Sequence, residues 1–131
     1  MKTLIVEDDF TSRRILQEFI QSYGPFHIAV NGKEAVEAVR AALEWDEPYD
    51  LICLDIMMPE MDGQQALSEI LLMQKARGIA GPDRVKIIMT TALADNANVM
   101  KALEQQCDCF LVKPIRKAKL MEALRKLALI A

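Results

Sequence analysis

This sequence of 131 residues lacks long apolar runs and a surplus of basic residues, and its number of cysteines is odd. The longest apolar runs have the length of a strand and fall far short of the roughly 20 residues that a membrane helix needs. The net charge of −3 excludes the basic surplus that is usual in nucleic-acid-binding domains. Three cysteines, without an apolar secretory leader, predict reduced thiols and a cytoplasmic location.

Apolar residues make up 52% of the chain, which is enough to build a hydrophobic core. The length fits one domain and is too short for two. We therefore expect residues 1–131 to form a single domain with no second domain attached.

Short apolar runs alternate with longer amphipathic segments along the chain. The five strand-like runs are Lys2–Val6, Phe26–Val30, Asp50–Leu54, Val85–Met89 and Phe110–Val112. The segments after them carry apolar residues at helical spacing, including a predicted fourth helix over Asp95–Gln105. This alternation predicts an α/β fold, a doubly wound parallel sheet of five strands with right-handed crossovers and helices on both faces.

Polar side chains stand at the carboxyl ends of four predicted strands. They are Glu7 and Asp8 after strand one, Asp55 after strand three, Thr90 and Thr91 after strand four, and Lys113 after strand five. Binding sites in open parallel sheets form beyond the carboxyl ends of the strands, so we expect these groups to share one crevice. A single acid after a strand more often caps the next helix, but capping does not account for the whole set.

Crowded carboxylates repel one another, so they must either take up protons or bind a cation. Oxygen ligands favour Mg²⁺ or Ca²⁺ over zinc, and Mg²⁺ suits a small site with few carboxylates and a phosphate oxygen. Lys113 can hold a phosphoryl oxygen, and a carboxylate can attack phosphorus to form an acyl phosphate. The residues alone therefore predict Mg²⁺-assisted phosphoryl chemistry at a carboxylate.

Four sequence blocks resemble the signature blocks of bacterial two-component response-regulator receiver domains. They are LIVEDD at Leu4–Asp9, DLICLDIMMPEMDG at Asp50–Gly63, IIMTTA at Ile87–Ala92 and FLVKP at Phe110–Pro114. The blocks stand in the family's order and at family-like spacing over essentially the whole chain, and together they are highly specific. The resemblance implies a flavodoxin-like (βα)5 fold with strand order 2-1-3-4-5. It also implies a stand-alone, chemotaxis-receiver-like domain without an output domain.

The resemblance implies a phospho-acceptor and a set of metal ligands. Asp55 matches the acceptor. Glu7, Asp8, Asp55 and the backbone carbonyl of Met57 match the groups that hold Mg²⁺, with Glu7 acting through water. Asp9 lies just outside the acidic pair, and we expect it to cap the helix that follows.

The resemblance also implies a phosphate-binding lysine and a pair of switch residues. Lys113 matches the lysine, and Lys113-Pro114 resembles a peptide bond that is cis in the family. Thr91, which Ala92 follows as the motif requires, matches the switch hydroxyl, and Phe110 matches the switch aromatic.

The function implied is a signalling switch and not a multiple-turnover enzyme. A sensor histidine kinase or a histidine phosphotransfer protein would donate the phosphoryl group to Asp55, while Mg²⁺ and Lys113 neutralise the developing charge. Phosphorylation would draw Thr91 inward and let Phe110 rotate. This would switch a protein-binding face formed by helix four, strand five and helix five. The expected partners are that kinase and an unknown target protein, with no nucleic acid, and the chain would be a monomer or a phosphorylation-dependent dimer.

Two departures from the family pattern concern the lifetime of the phosphoryl group. The second residue after Asp55 and the second residue after Thr91 handle the attacking water in the family. Here they are Met57 and Leu93, which are both apolar, and this predicts a comparatively long-lived phosphoryl group. Phe110 also lacks the hydroxyl that many relatives carry.

Three other functions stay open from the sequence. The first is a phosphorelay intermediate that passes its phosphoryl group to a histidine phosphotransfer protein. The second is a carboxylate-nucleophile phosphatase, although Asp55-Ile56-Met57 lacks the second acid of the usual Asp-x-Asp motif. The third is a degenerate receiver used only for interaction, and the intact set of Glu7, Asp8, Asp55, Thr91 and Lys113 argues against it. Cys107-x-Cys109 has the spacing of a metal motif, but a lone pair is more often coincidence.

Overall fold

One parallel sheet organises the structure, a computed structural model that describes residues 1–56, 61–79, 81–91 and 107–131. Its five strands are β1 (Thr3–Val6), β2 (Phe26–Ala29), β3 (Leu51–Asp55), β4 (Lys86–Thr91) and β5 (Cys109–Val112). Every neighbouring pair is parallel, and the strands lie in the order β2-β1-β3-β4-β5. The predicted sheet and its 2-1-3-4-5 order are confirmed.

Four α-helices are described, namely α1 (Phe10–Ile20), α2 (Gly32–Glu44), α3 (Gly63–Ala76) and the C-terminal helix (Lys117–Lys126). Short 3-10 turns occur at Gln21–Tyr23 and Gly81–Asp83. The predicted helix over Asp95–Gln105 lies outside the described residues, as does Met57. No helix in the described ranges is long and apolar enough to cross a membrane.

Side-chain caps fix where the first three helices begin. Asp9 accepts a hydrogen bond from the backbone N–H of Ser12 at 2.9 Å, which confirms its predicted role as a cap. Asn31 caps α2 in the same way, and Asp62 starts α3 with a reciprocal capping box. These side chains satisfy N–H groups that have no partner inside the helix.

The sheet separates two apolar layers, because successive residues of a strand point to opposite faces. Leu4 and Val6 pack with α2 and α3, whereas Ile5 between them packs with α1 and the C-terminal helix. All five residues of β3 are buried, as expected for the central strand of a sheet that is covered on both faces. Cys53 belongs to this buried strand, and burial raises the pKa of its thiol to about 12.

β4 extends two residues further than the sequence pattern predicted. Thr90 and Thr91 do not follow the strand but form its last two positions, where they pair with Leu111 and Val112 of β5. Threonine is β-branched and fits a pleated strand, so a polar residue at a strand end need not leave the sheet. At the start of β5, Asp108 accepts a hydrogen bond from the backbone N–H of Ile87 at 2.7 Å.

α3 begins next to the end of β3. The backbone N–H of Gly63 donates to the carbonyl of Ile56 at 2.9 Å. A Cβ atom at this position would lie 2.2 Å from the carbonyl oxygen of Asp55, far inside van der Waals contact. Only glycine therefore lets α3 begin so close to the end of β3.

We expect Gly63→Ala to destabilise the protein, although alanine is normally favoured over glycine within a helix by up to about 1 kcal/mol. The added methyl group must displace the backbone at Asp55, and overpacking of this kind costs about 1–3 kcal/mol. Urea denaturation followed by circular dichroism measures the loss. The control is Ser68→Ala at an exposed site of the same helix, and equal stability of Gly63→Ala and the wild type would contradict the close approach.

Candidate functional site

Three carboxylates from two neighbouring strands meet at the carboxyl edge of the sheet. Glu7 and Asp8 follow β1, and Asp55 is the last residue of β3. One carboxylate oxygen from each of them lies within 4.8 Å of the other two. Glu7 and Asp55 are buried, while Asp8 is exposed and opens the cluster to solvent. The predicted convergence of these acids is confirmed, and no other such group of three or more metal-binding side chains occurs within the described ranges.

Lys113 brings a positive charge into this cluster from the end of β5. Its ammonium donates a hydrogen bond to Oε1 of Glu7 and lies 3.4 Å from Oδ2 of Asp55. The backbone N–H of Lys113 donates to the carbonyl of Thr91 at 2.7 Å, which fixes the end of β5 against β4. The bond between Lys113 and Pro114 is cis, as predicted.

Two opposing effects act on the pKa of Lys113. Burial is the larger single effect and would lower this pKa, because a charged ammonium loses its hydration. The hydrogen bond to Glu7 and the negative charges of Asp55 and Glu7 together outweigh burial, and the pKa is raised above its usual value. Lys113 is therefore a permanent cation at neutral pH.

The donor atoms fit a hard cation such as Mg²⁺. The second carboxylate oxygen of Glu7, Oε2, is buried and accepts no hydrogen bond from the described residues. A buried carboxylate oxygen of this kind needs a partner, and one ammonium cannot balance three acids. Glu7, Asp8 and Asp55 supply the few oxygen ligands that Mg²⁺ takes from protein side chains. The predicted fourth ligand, the Met57 carbonyl, lies outside the described residues.

The two threonines at the end of β4 face opposite sides of the sheet. Thr90 lies directly across from Asp55 in the parallel register, and both threonines are buried. Met89 and Phe110 both contact the apolar layer of α2 and α3. Since strand residues alternate, Thr91 lies on the same side as these two residues and Thr90 lies on the other. The predicted switch pair, Thr91 and Phe110, is thus placed on one face.

The sequence analysis missed a basic and aromatic group beside the acids. Arg13 donates from its guanidinium to the backbone carbonyl of Glu7 at 3.2 Å. Phe10 is 62% exposed, and the guanidinium carbons of Arg13 and Arg14 lie 5.5 and 6.0 Å from its ring centre. One signal was available, since Phe10 is a large apolar residue that falls outside the apolar stripe of its helix.

The two cysteines of the Cys107-x-Cys109 pair pack in opposite apolar layers. Cys107 packs with the layer of α2 and α3, whereas Cys109 packs with the opposite layer. All three cysteines of the chain are free thiols.

Comparison with known proteins gives one consistent result. Residues 3–125 match the response regulator receiver domain family. The chain is 32% identical over 129 residues to the chemotaxis protein CheY of Listeria monocytogenes, covering 98% of both chains.

Two solved structures extend the comparison to ligands. The receiver domain of the histidine kinase CKI1 from Arabidopsis thaliana, complexed with Mg²⁺ and BeF3⁻, superposes with a TM-score of 0.82 at 26% identity, covering 98% of this chain and 90% of that one. CheY in the CheX-CheY-BeF3-Mg²⁺ complex of Borrelia burgdorferi gives a TM-score of 0.80 at 28% identity, covering 100% and 90%. Fold, acidic cluster and sequence therefore agree that this chain belongs to the response regulator receiver domain family.

Proposed function

We propose that this chain is a phosphorylation-dependent signalling switch in which Asp55 accepts the phosphoryl group. The observation that carries this assignment is the position of Asp55 in the site. It ends the central strand, with Glu7 and Asp8 on the β1 side, Thr90 in register on the β4 side and Lys113 Nζ 3.4 Å away. One cation and two further carboxylates that can hold Mg²⁺ therefore surround this carboxylate.

The ion pairs of Lys113 support Asp55 over its neighbours as the nucleophile. Glu7 is nearly inaccessible, and one of its oxygens already accepts the hydrogen bond of Lys113. Asp8 is exposed, and Lys113 pairs with Glu7 and Asp55. Asp55 ends β3 with its Oδ2 3.4 Å from the ammonium of Lys113, so a phosphoryl group on Asp55 would lie within reach of the lysine.

Transfer from a phosphohistidine balances as a displacement at phosphorus. An oxygen of Asp55 forms the new P–O bond as the P–N bond breaks, and the imidazole leaves with the electron pair. Lys113 neutralises charge on the transferred oxygens, and the hydroxyl of Thr91 donates to one of them in the product. A Mg²⁺ ion held by Glu7, Asp8 and Asp55 would supply the remaining positive charge. The related CKI1 and CheY structures contain Mg²⁺ and BeF3⁻, which supports this chemistry.

The surface that reads the switch is proposed to include β5 and the C-terminal helix. A groove of about 330 Å³ runs along these elements, and Phe110, Val112, Pro114 and Lys119 are among the residues that line it. Phe110 also contacts the core layer on the side of Thr91, so a change at Thr91 can reach the groove through the aromatic ring. The predicted fourth helix, the third part of this face, lies outside the described residues.

Receiver domains are signalling modules and not multiple-turnover enzymes, so we propose that this chain catalyses only its own phosphorylation and dephosphorylation. Similarity over 98% of a chemotaxis protein favours direct action on a target protein. A phosphorelay role is the second candidate, because the receiver of a histidine kinase has the same fold over 98% of this chain. The donor would be a histidine kinase or a histidine phosphotransfer protein in both cases.

The first prediction from this function concerns the acceptor. Acetyl phosphate and Mg²⁺ should add one phosphoryl group, about 80 Da by intact mass spectrometry, because a carboxylate nucleophile forms an acyl phosphate. Asp55→Asn or EDTA should abolish the gain. Asp46→Asn is a suitable control, since residue 46 is exposed and has a positive φ of 56° that asparagine tolerates. A gain that persists in Asp55→Asn, or a wild-type protein that binds neither phosphoryl group nor beryllofluoride, would contradict the assignment.

The second prediction concerns Lys113. Lys113→Met should lower the rate of phosphorylation by acetyl phosphate about 100-fold at saturating Mg²⁺, because one preorganised charge is removed from the transition state. Time courses of the intact mass give the rate. Lys126→Met, which removes an exposed lysine from the C-terminal helix, should leave the rate unchanged. Equal rates for Lys113→Met and the wild type would exclude the lysine from the chemistry.

The third prediction concerns the lifetime of the phosphoryl group. With Met57 and Leu93 both apolar, no side chain at these positions can hydrogen-bond the attacking water, so decay should take minutes or longer. Met57→Asn should accelerate decay, and Met57→Leu is the matched apolar control. Loss of the phosphoryl group is followed by intact mass after the donor is removed. A wild-type half-life of seconds in Mg²⁺ without a phosphatase would refute this expectation.

A further inference from the structure

A second cavity lies at the end of the sheet opposite to Asp55. Tyr49 and Val85, which precede β3 and β4, line it together with Ile52 of β3. Val39 and Leu43 close it from α2. Its volume is about 300 Å³, which lies at the lower end of the range for small-molecule sites, roughly 300–1,000 Å³.

One polar side chain in this apolar wall has an unused hydrogen-bond donor. Gln74, near the end of α3, lines the cavity and is only 3% exposed. Its Oε1 accepts the backbone N–H of Val85 at 3.0 Å, and this contact fixes which end of the amide is the oxygen. The amide nitrogen Nε2 is buried and donates to no atom of the described residues.

A buried donor without a partner carries a desolvation cost, and a hydrogen-bond acceptor brought into the cavity would remove it. The other polar groups of the wall do not compete for this role. The hydroxyl of Tyr49 is already hydrogen-bonded to Nδ1 of His27 at 2.7 Å. Asp83, an exposed acid that also lines the cavity, disfavours an anionic ligand.

We infer that this cavity binds a small uncharged molecule with an apolar body and one hydrogen-bond acceptor, which receives the Nε2–H of Gln74. The apolar walls exclude water from the body of the ligand, and Gln74 determines its orientation. The cavity shares no residue with the acidic cluster, so the inference does not rest on the phosphoryl chemistry of Asp55.

Two aromatic probes of the same shape test this inference. Isoquinoline, at a pH where its ring nitrogen is unprotonated, presents one acceptor, and naphthalene presents none. In ¹H–¹⁵N spectra, isoquinoline should shift the side-chain amide of Gln74 and the backbone amides of Val39, Ile52 and Val85 in a saturable way. It should bind about fivefold more tightly than naphthalene, the difference expected from one net hydrogen bond. Gln74→Met, which removes the amide, should make the two probes equal.

Filling the cavity provides the control on location. Val39→Phe should weaken the binding of isoquinoline at least tenfold, whereas Val30→Phe, the same substitution at an exposed site, should not change it. If Val39→Phe fails to fold, Leu43→Trp at the partly exposed rim serves the same purpose. Unchanged binding in the filled variant that folds, equal binding of the two probes to the wild type, or no saturable shift at these residues would each overturn the inference.

Discussion

Three carboxylates repel one another at the carboxyl edge of the sheet, and the rest of the site depends on how this repulsion is offset. Two unit charges 4.8 Å apart repel by roughly 3.5 kcal/mol at an effective dielectric constant of about 20, and Glu7, Asp8 and Asp55 all lie within this distance. Lys113 offsets part of this repulsion through its ion pairs with Glu7 and Asp55. The fold holds the acids together because two belong to the loop after β1 and the third ends β3, adjacent strands whose residues are almost entirely buried. The negative charge that Lys113 does not offset attracts a cation such as Mg²⁺. A bound cation in turn permits phosphoryl transfer to a carboxylate.

Most of the fold and of the site follows from local patterns in the sequence. Apolar runs such as Asp50–Leu54 have the length and composition of buried strands, and parallel strands must bring the residues at their carboxyl ends to one edge. The strand order does not follow from alternation, because several orders satisfy the same pattern, and it came from the family resemblance. The predicted end of β4 was wrong. A polar residue was taken to mark the end of the strand, but Thr90 and Thr91 belong to β4 and pair with β5.

Contacts between distant side chains were beyond what the sequence could predict. The hydrogen bond from Arg13 to the carbonyl of Glu7 depends on the angle at which α1 leaves β1. Gln74 has the spacing of a helix residue at the edge of an apolar stripe, and only the packed structure shows that it is buried against Val85 with its nitrogen unused. Such properties depend on how the helices settle on the sheet, and the 3.6-residue period of one helix carries no information about that.

The strand order also has a consequence for how the chain folds during its synthesis on the ribosome. β1 lies between β2 and β3, so the first 55 residues contain a contiguous three-stranded sheet that can pair before the rest of the chain is made. β4 and β5 then add to one side in the order of synthesis, and no strand has to be inserted between two that are already paired. Because Lys113 follows β5, the acids after β1 and at the end of β3 are synthesised before their counter-charge, and the site gains that charge only after all five strands have been made.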